Sequence, residues 1–286
     1  MLRPIDRASL NDTLPLLQRG FTHAPAFWSA ALERLKRYRS PDAGEPAAYL
    51  LDVKGEPVGV ILNIASTRTA ADGSAQPMVN LSSWFIDDAH RWRAPRMLQQ
   101  LTAQDGTLYT DLTPTAPVQS LIERLGFNRW TEGTLLFPLP LFALGRTGDV
   151  HVTPLAGLPA GGLPAEGLPA PVMRILADHA ALDCLAAALW DGARFHPLIF
   201  SRMKRKGLPI ARLLYAEDRA VVSRHIAAIA RYLLREKMMV MAMTADRRER
   251  LPGSFFTRRA PPAYYKGSMS TTGIDHAYSE FVFLQI

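Results

Sequence analysis

The sequence is short of cysteine. Cys184 is the only one in 286 residues, which excludes an internal disulfide and any metal site built on several thiolates. Within ALDCLAAAL it reads as a small apolar helix residue. Long apolar runs are missing too, and none reaches the roughly 18 residues of a membrane span. The first residues, MLRPIDRASLNDTLPLL, carry an early acid and no unbroken apolar stretch. No secretory signal is therefore expected, and the reading is a cytoplasmic protein without a membrane partner. Gly-x-Ser-x-Gly, the P-loop and the dinucleotide fingerprint are absent. The seven histidines show no paired spacing with each other or with an acid, so no metal is expected.

What is present is an ordinary globular balance, 48% hydrophobic and 21% charged, in a chain long enough for about two domains at roughly 150 residues each. The net charge of +7 is uneven. Residues 1–146 carry 15 Lys+Arg and 14 Asp+Glu, which leaves 18 and 12 of the totals 33 and 26 for residues 147–286. Two readings stay open: an anionic partner, or arginines that simply solvate the surface. The run SRMKRKG at 201–207 reads as a basic hairpin turn without interleaved aromatics, so nucleic acid is not the expected partner.

Residues 153–171, TPLAGLPAGGLPAEGLPAP, contain three imperfect five-residue copies rich in proline and glycine. That density blocks helices and strand ladders. We therefore expect one domain over 1–146, a linker over 147–171 and a second, degenerate domain of the same kind over 172–286. In the first half the spacing predicts helices over 7–20 and 25–39, then a hairpin around Lys54-Gly55-Glu56. A strand over 78–86, a basic loop and a helix to about 104 follow. Next come a short strand TLYTDL, a helix over 117–125 and strands within 127–139. In the second half PVMRILADHAALDCLAAALW reads as one helix, FHPLIFSRMKRKGLPIARLLYAE as a hairpin and 219–236 as one amphipathic helix. MMVMAMTA and SEFVFLQI read as strands.

The stretches FIDDAHRWRAPRMLQQL and VQSLIERLGFNRW, in this order of elements, resemble the Gcn5-related N-acetyltransferases, the GNAT family. The resemblance implies an α/β protein of tandem GNAT-like domains, each a mixed, mostly antiparallel sheet flanked by helices. It implies acetyl-CoA or another acyl-CoA as donor substrate and a small-molecule acceptor bearing an amine or a sugar hydroxyl; a homodimer is left open. In that family the loop between this strand and the next helix reads Gln/Arg-x-x-Gly-x-Gly/Ala and its amides hold the coenzyme pyrophosphate. Arg91 matches the first position, Ala94 and Arg96 stand at the two glycine positions, and Pro95 removes an amide. The expectation is that side-chain charge from Arg91, Arg93 and Arg96 replaces backbone donors. The alternative is a solvated basic helix cap in a protein that no longer binds the coenzyme. The strand before the loop, with Trp84, Phe85 and Ile86, is expected to splay from its neighbour and pair with the pantetheine arm.

The resemblance is weakest at the chemistry. The position of the family's tyrosine acid, five residues before the Phe of Leu-Gly-Phe, is Ile122 here. Tyr109 and Asp111 on the next strand are the substitute catalytic candidates, and Tyr264, Tyr265, Lys266 and His276 are candidates for an acceptor cleft. Two rival functions follow: a non-catalytic binding or assembly protein on the same fold, and an anion- or nucleic-acid-binding protein relying on the basic second half.

Overall fold

The computed structural model describes residues 1–38, 45–69, 74–157, 167–246, 249, 251–268 and 273–285. It falls into two compact units, each discontinuous in sequence. The first takes Met1–Trp130, Pro261–Met269 and Tyr278–Leu284; the second takes Thr131–Ala260, Ser270–Ala277 and Gln285–Ile286. The first unit therefore closes at Trp130 rather than at residue 146, because the strand that follows joins the other sheet and a late segment takes its place.

In the first unit β1 (Leu2–Ile5) precedes α1 (Leu14–Gly20) and α2 (Pro25–Arg37). Strands β2 (Ala48–Val53), β3 (Glu56–Thr69) and β4 (Ala75–Ile86) lead to α3 (Ala94–Leu101), β5 (Leu108–Asp111), α4 (Ala116–Arg124) and β6 (Asn128–Thr131). From the far end of the chain come β14 (Ala263–Lys266) and α9 (Glu280–Phe283). The sheet order is β1-β2-β3-β4-β5-β14-β6. Lys54 and Gly55 both hold positive φ, 55° and 90°, the two-residue turn that suits the twist of a hairpin. On one face of the sheet Val79, Leu81 and Tyr109 pack with Met97, Leu98, Ile122 and Phe127.

Strands β4 and β5 are parallel and pair only from Met78↔Leu108 to Asn80↔Thr110. Beyond that rung β5 ends while β4 runs on to Ile86, still paired with β3 on its other side. Opposite Ile61 the register takes two residues of β4, and Ser83 there has φ 52°. An extra residue in a left-handed conformation is a bulge, which sharpens the local twist and turns the strand end away. Gly20 at the end of α1 allows this course: a Cβ there would lie 2.4 Å from the Phe85 ring.

The second unit holds β7 (Gly133–Pro138), α5 (Leu139–Phe142), β8 (His151–Pro154), α6 (Ala170–Ala181), β9 (Leu185–Trp190), β10 (Phe195–Arg205) and β11 (Leu208–Ala216). It continues with α7 (Arg219–Arg224), α8 (Ile226–Arg235), β12 (Val240–Ala245), β13 (Phe255–Thr257) and β15 (Ile274–Asp275). The order is β13-β7-β12-β11-β10-β9-β8, with β15 on β11. Its core gathers Phe137, Leu189, Phe200, Leu213, Ile229, Leu233 and Met241.

Four expectations change here. The single helix over 171–190 is α6 followed by β9, with a turn at Asp183 (φ 63°). The alanines of LAAALW favour helix intrinsically, but they fill a buried strand between β8 and β10. Cys184 sits in that turn, its thiol pushed up to about 12 by burial, which leaves it an unreactive small residue. The expected linker begins as β8, an edge strand, where Pro154 removes no needed donor; residues 158–166, the middle of the repeats, lie outside the described residues. Residues 219–236 form two helices broken at His225, and within SEFVFLQI the residues Glu280–Phe283 form the helix α9 rather than a strand. Phe281, Val282 and Phe283 are buried all round, so alternation carries no signal there.

Candidate functional site

Among the described residues of the first unit, sequence-predicted residues meet a gap in the sheet at the opening between β4 and the end of β5. Leu81–Ile86 have no strand on that side among the described residues. At the last shared rung the Asn80 side chain donates to Thr110 Oγ1 at 3.2 Å, and its Oδ1 accepts the Glu280 backbone N–H at 2.8 Å. Side chains alternate along a strand, so Asn80, Ser82 and Thr110 share one face, and Tyr109 and Asp111 the other. On the Asn80 face the Glu280 carboxylate spans the gap. It accepts a hydrogen bond from Ser82 on β4 through Oε2 and one from Thr113, just past β5, at 2.8 Å through Oε1. Ser82 is 3% exposed and Glu280 2%, so this buried carboxyl group is held by hydroxyl hydrogen bonds while Asn80 holds the Glu280 backbone N–H.

Asp111 closes the other side. Desolvation of its carboxyl and the charge of Glu280 push it well above the usual carboxylate range, against an N–H bond from Thr113. A raised carboxyl stays protonated further toward neutral pH and has a proton to donate. The sign for stability follows. Below the ordinary carboxylate range both folded and unfolded chains are protonated and nothing is lost. As pH rises, the unfolded chain releases its proton first and the fold becomes relatively less stable. Asp111→Asn is thus expected to melt higher than wild type at pH 8, with the difference closing toward pH 4; a difference constant with pH contradicts this.

Downstream of β4 the loop differs from the expected amide cradle. Asp88–Arg93 wind as 3-10 turns straight into α3, and the Ala94 amide is spent on the Arg91 carbonyl. Pro95 has no N–H, so few donors remain at the helix start. Arg91 is paired with Asp88 at 2.7 Å, and Arg93 lies over the Trp92 ring at 4.3 Å. Asp87 is held by Arg19 at 3.1 Å. Arg96 is exposed on α3. The Arg91–Asp88 pair is exposed and easily given up. Trp84 Nε1, His90 Nδ1 and Arg93 Nε are buried with no hydrogen-bond partner among the described residues. These three unmet polar atoms fall within ten residues of sequence.

The remaining candidates settle as follows. Tyr109 is 3% exposed in the closed part of the β4–β5 ladder, packed with Ile122 and Leu98. Burial raises its hydroxyl above the ordinary tyrosine value. It is a core residue away from the opening, whereas Asp111 ends β5. Tyr264, Tyr265 and Lys266 form β14 against β5, whereas His276 is buried in the second unit, bonded to Thr244. Sequence reasoning missed Glu280, Asn80 and Thr113. The lone acid in the apolar run SEFVFLQI was the available signal, since an unpaired acid rarely enters a core.

In the second unit β11 and β12 are the matching parallel pair, meeting over Ile210–Arg212 and Val240–Ala242. Here the gap beyond is filled by β15, paired at Tyr215 and Ala216. A Cβ on Gly273 would lie 2.8 Å from the Ala216 carbonyl. The helix that follows is capped by Asp218, whose carboxylate takes the Ala220 amide at 2.7 Å. The strand edge and helix start that a phosphorylated ligand would use are thus taken by the chain itself. Among the described residues no group of three or more His, Cys, Asp or Glu is placed to hold a metal ion, and no helix is long and apolar enough to cross a membrane.

Neither a family model nor a curated protein sequence matches the chain. Solved structures do. A GCN5-related N-acetyltransferase from Anabaena variabilis superposes with a TM-score of 0.60 at 10% identity, over 93% of this chain and 72% of that one. A conserved Enterococcus faecalis protein of unknown function gives 0.57 at 9%, over 93% and 72%. A GCN5-related N-acetyltransferase from Kribbella flavida gives 0.52 at 12%, over 93% and 70%. With its two mixed, helix-flanked sheets and a forked parallel strand pair, the chain has the fold of the GCN5-related N-acetyltransferases.

Proposed function

We propose that the first unit binds an acyl-CoA along the free edge of β4 and transfers its acyl group to an amine or hydroxyl acceptor by direct attack. The observation carrying this reading is the unladdered stretch Leu81–Ile86, which leads into three buried, unmet polar atoms at Trp84, His90 and Arg93. A pantetheine arm is an extended amide chain, and a bare strand edge is its natural partner. Trp84, Phe85 and Ile86 would offer that backbone. Arg91, Arg93 and Arg96 would meet the phosphates around Ala94. Asp111, raised by burial and Glu280, would donate a proton to the departing thiolate. The donor is a cytoplasmic metabolite, so the reading implies a cytoplasmic protein; acetyl and longer acyl groups both remain within it.

Titration calorimetry with acetyl-CoA and with CoA tests this. One binding site per chain is expected. Arg91→Ala combined with Arg96→Ala should weaken it at least tenfold, because each phosphate contact to a charged group contributes about 1.5–3 kcal/mol. A second reading is favoured by the wound loop and the pairing of Arg91 with Asp88: a non-catalytic binding protein on this fold. Absence of both heat and thermal shift with acetyl-CoA selects it. A salt-sensitive shift with a polyanion alone selects the basic second half as an anion-binding surface.

A further inference from the structure

We propose that one end of the second unit's sheet is a docking surface for an anionic lipid bilayer, which it meets peripherally. The first argument is where the exposed apolar side chains lie. Strands β13, β7, β12 and β11 are consecutive neighbours in the sheet, and each carries one at the same end. Phe255 opens β13, Leu141 follows β7 within α5, Met239 immediately precedes β12, and Leu208 opens β11. Each is at least 40% exposed. The four connections are tied together. The Met239 N–H donates to the Pro209 carbonyl and its own carbonyl accepts the Leu139 N–H, both at 3.0 Å. Gly253 lies beside Leu141 and Phe142, since a Cβ there would stand 3.3 Å from each side chain. At about 4.8 Å per strand the row spans roughly 14 Å. Single exposed apolar residues are ordinary, whereas a row of them marks an interaction site.

Charge is the second argument. Lys204, Arg205 and Lys206 stand on the β10–β11 turn, and Arg235 and Lys237 where α8 gives way to β12; all are exposed. None has an acid partner among the described residues. Of the acids near this end, Glu236 is held by Arg202 at 2.9 Å, and Asp183 stands beyond β10, before β9. Acyl chains accept the apolar row and anionic headgroups the cations around it. A nucleic acid would take the cations and leave the apolar row in water. A folded partner would need acids placed to match five flexible side chains, whereas headgroups diffuse to meet them.

The backbone supplies the third. Lys206 and Lys237 hold positive φ, 51° and 61°, which glycine adopts without the steric cost. Each stands two residues before an exposed apolar side chain, Leu208 or Met239. The same pairing of cation and apolar residue thus recurs on two adjacent connections. The expectation of no membrane partner rested on the lack of a spanning run, which a peripheral contact does not need. The proposal concerns the second unit and stands whether or not the first binds an acyl-CoA.

Co-sedimentation of the full chain tests it, with vesicles of phosphatidylserine and phosphatidylcholine in equal parts and with phosphatidylcholine alone. The chain is expected to sediment with the mixed vesicles only, and less so as salt is raised. Lys206→Gly combined with Lys237→Gly removes two cations and relieves the backbone, so the melting temperature should not fall. At about fivefold for each cation at the surface, vesicle binding should weaken about 25-fold. Phe255→Ser combined with Leu141→Ser keeps every charge and should weaken binding at least about tenfold. No sedimentation with the mixed vesicles, equal sedimentation with both kinds, or wild-type binding by either double variant overturns the assignment. Binding to heparin without binding to vesicles overturns it in favour of a soluble polyanion. Should the Phe255 and Leu141 variant fail to fold, the lysine pair decides alone.

Discussion

Acidification from pH 7 to pH 3 is expected to remove about 4–5 kcal/mol from the stability of the second unit through one side chain, His276, at 1.36 kcal/mol for each pH unit of displacement. His276 is fully buried, its Nε2 and Thr244 Oγ1 2.9 Å apart. Burial, with Arg212 and Arg219 nearby, holds its imidazole down to about 3 from 6.5. Arg219 is itself fixed, donating to the Thr244 carbonyl and to Glu249 at 2.8 Å. The sign is as follows. Between those two values the unfolded chain binds a proton that the folded chain refuses, so stability falls steadily as pH drops through the window. Urea unfolding at half-unit pH steps, read by hydrogen exchange in β11 and β12, measures the slope. His276→Gln should start lower at pH 7 and lose less on acidification. Equal slopes in the two proteins would show that another group controls the acid limb.

Phe283→Ala is expected to cost about 3–5 kcal/mol, the usual loss for emptying an aromatic core site. Phe283 is 0% exposed and sits 5.3 Å from the Tyr38 ring, with its carbonyl taken by Arg34. Against a typical total of about 5–15 kcal/mol, this is a large fraction. The damage belongs to the first unit although the residue lies at the far end of the sequence. Hydrogen exchange should accelerate in β3, β4 and β5 and stay unchanged in β9–β12. Phe200→Ala, fully buried in the other core, should give a similar loss with the opposite pattern. Matching exchange patterns in the two variants would contradict the division into two cores.

Much of the first sheet was legible. The hairpin at Lys54-Gly55, the strand ending at Ile86 and the helix ending before Gly126 each rest on local chemistry: turn residues, alternation and a helix-stopping glycine. The fold family followed from the order of these elements. What local chemistry does not encode is which sheet a strand joins. β7 looks like any strand at the end of a domain, and nothing within GTLLFP reveals that its partners are β12 and β13. α9 was misread as a strand for the same reason, since its environment is set by residues more than a hundred positions earlier. The candidate site was half legible. Arg91 and Arg96 were singled out by matching a motif and Asp111 as a substitute where that motif lacks its tyrosine, but Glu280 enters through tertiary pairing that no spacing rule reaches. The same pairing put Tyr109 in the core.

The return of β14 and α9 to the first sheet bears on biosynthesis. A ribosome adding roughly 5–20 residues per second needs about 8–30 s to travel from Trp130 to Leu284. For all that time the nascent first unit lacks a strand between β5 and β6 and has no Phe283 in its interior. An exposed edge of this kind invites pairing with the wrong chain. Stepwise folding from the N-terminus therefore cannot complete the first sheet until the segment carrying β14 and α9 has been made.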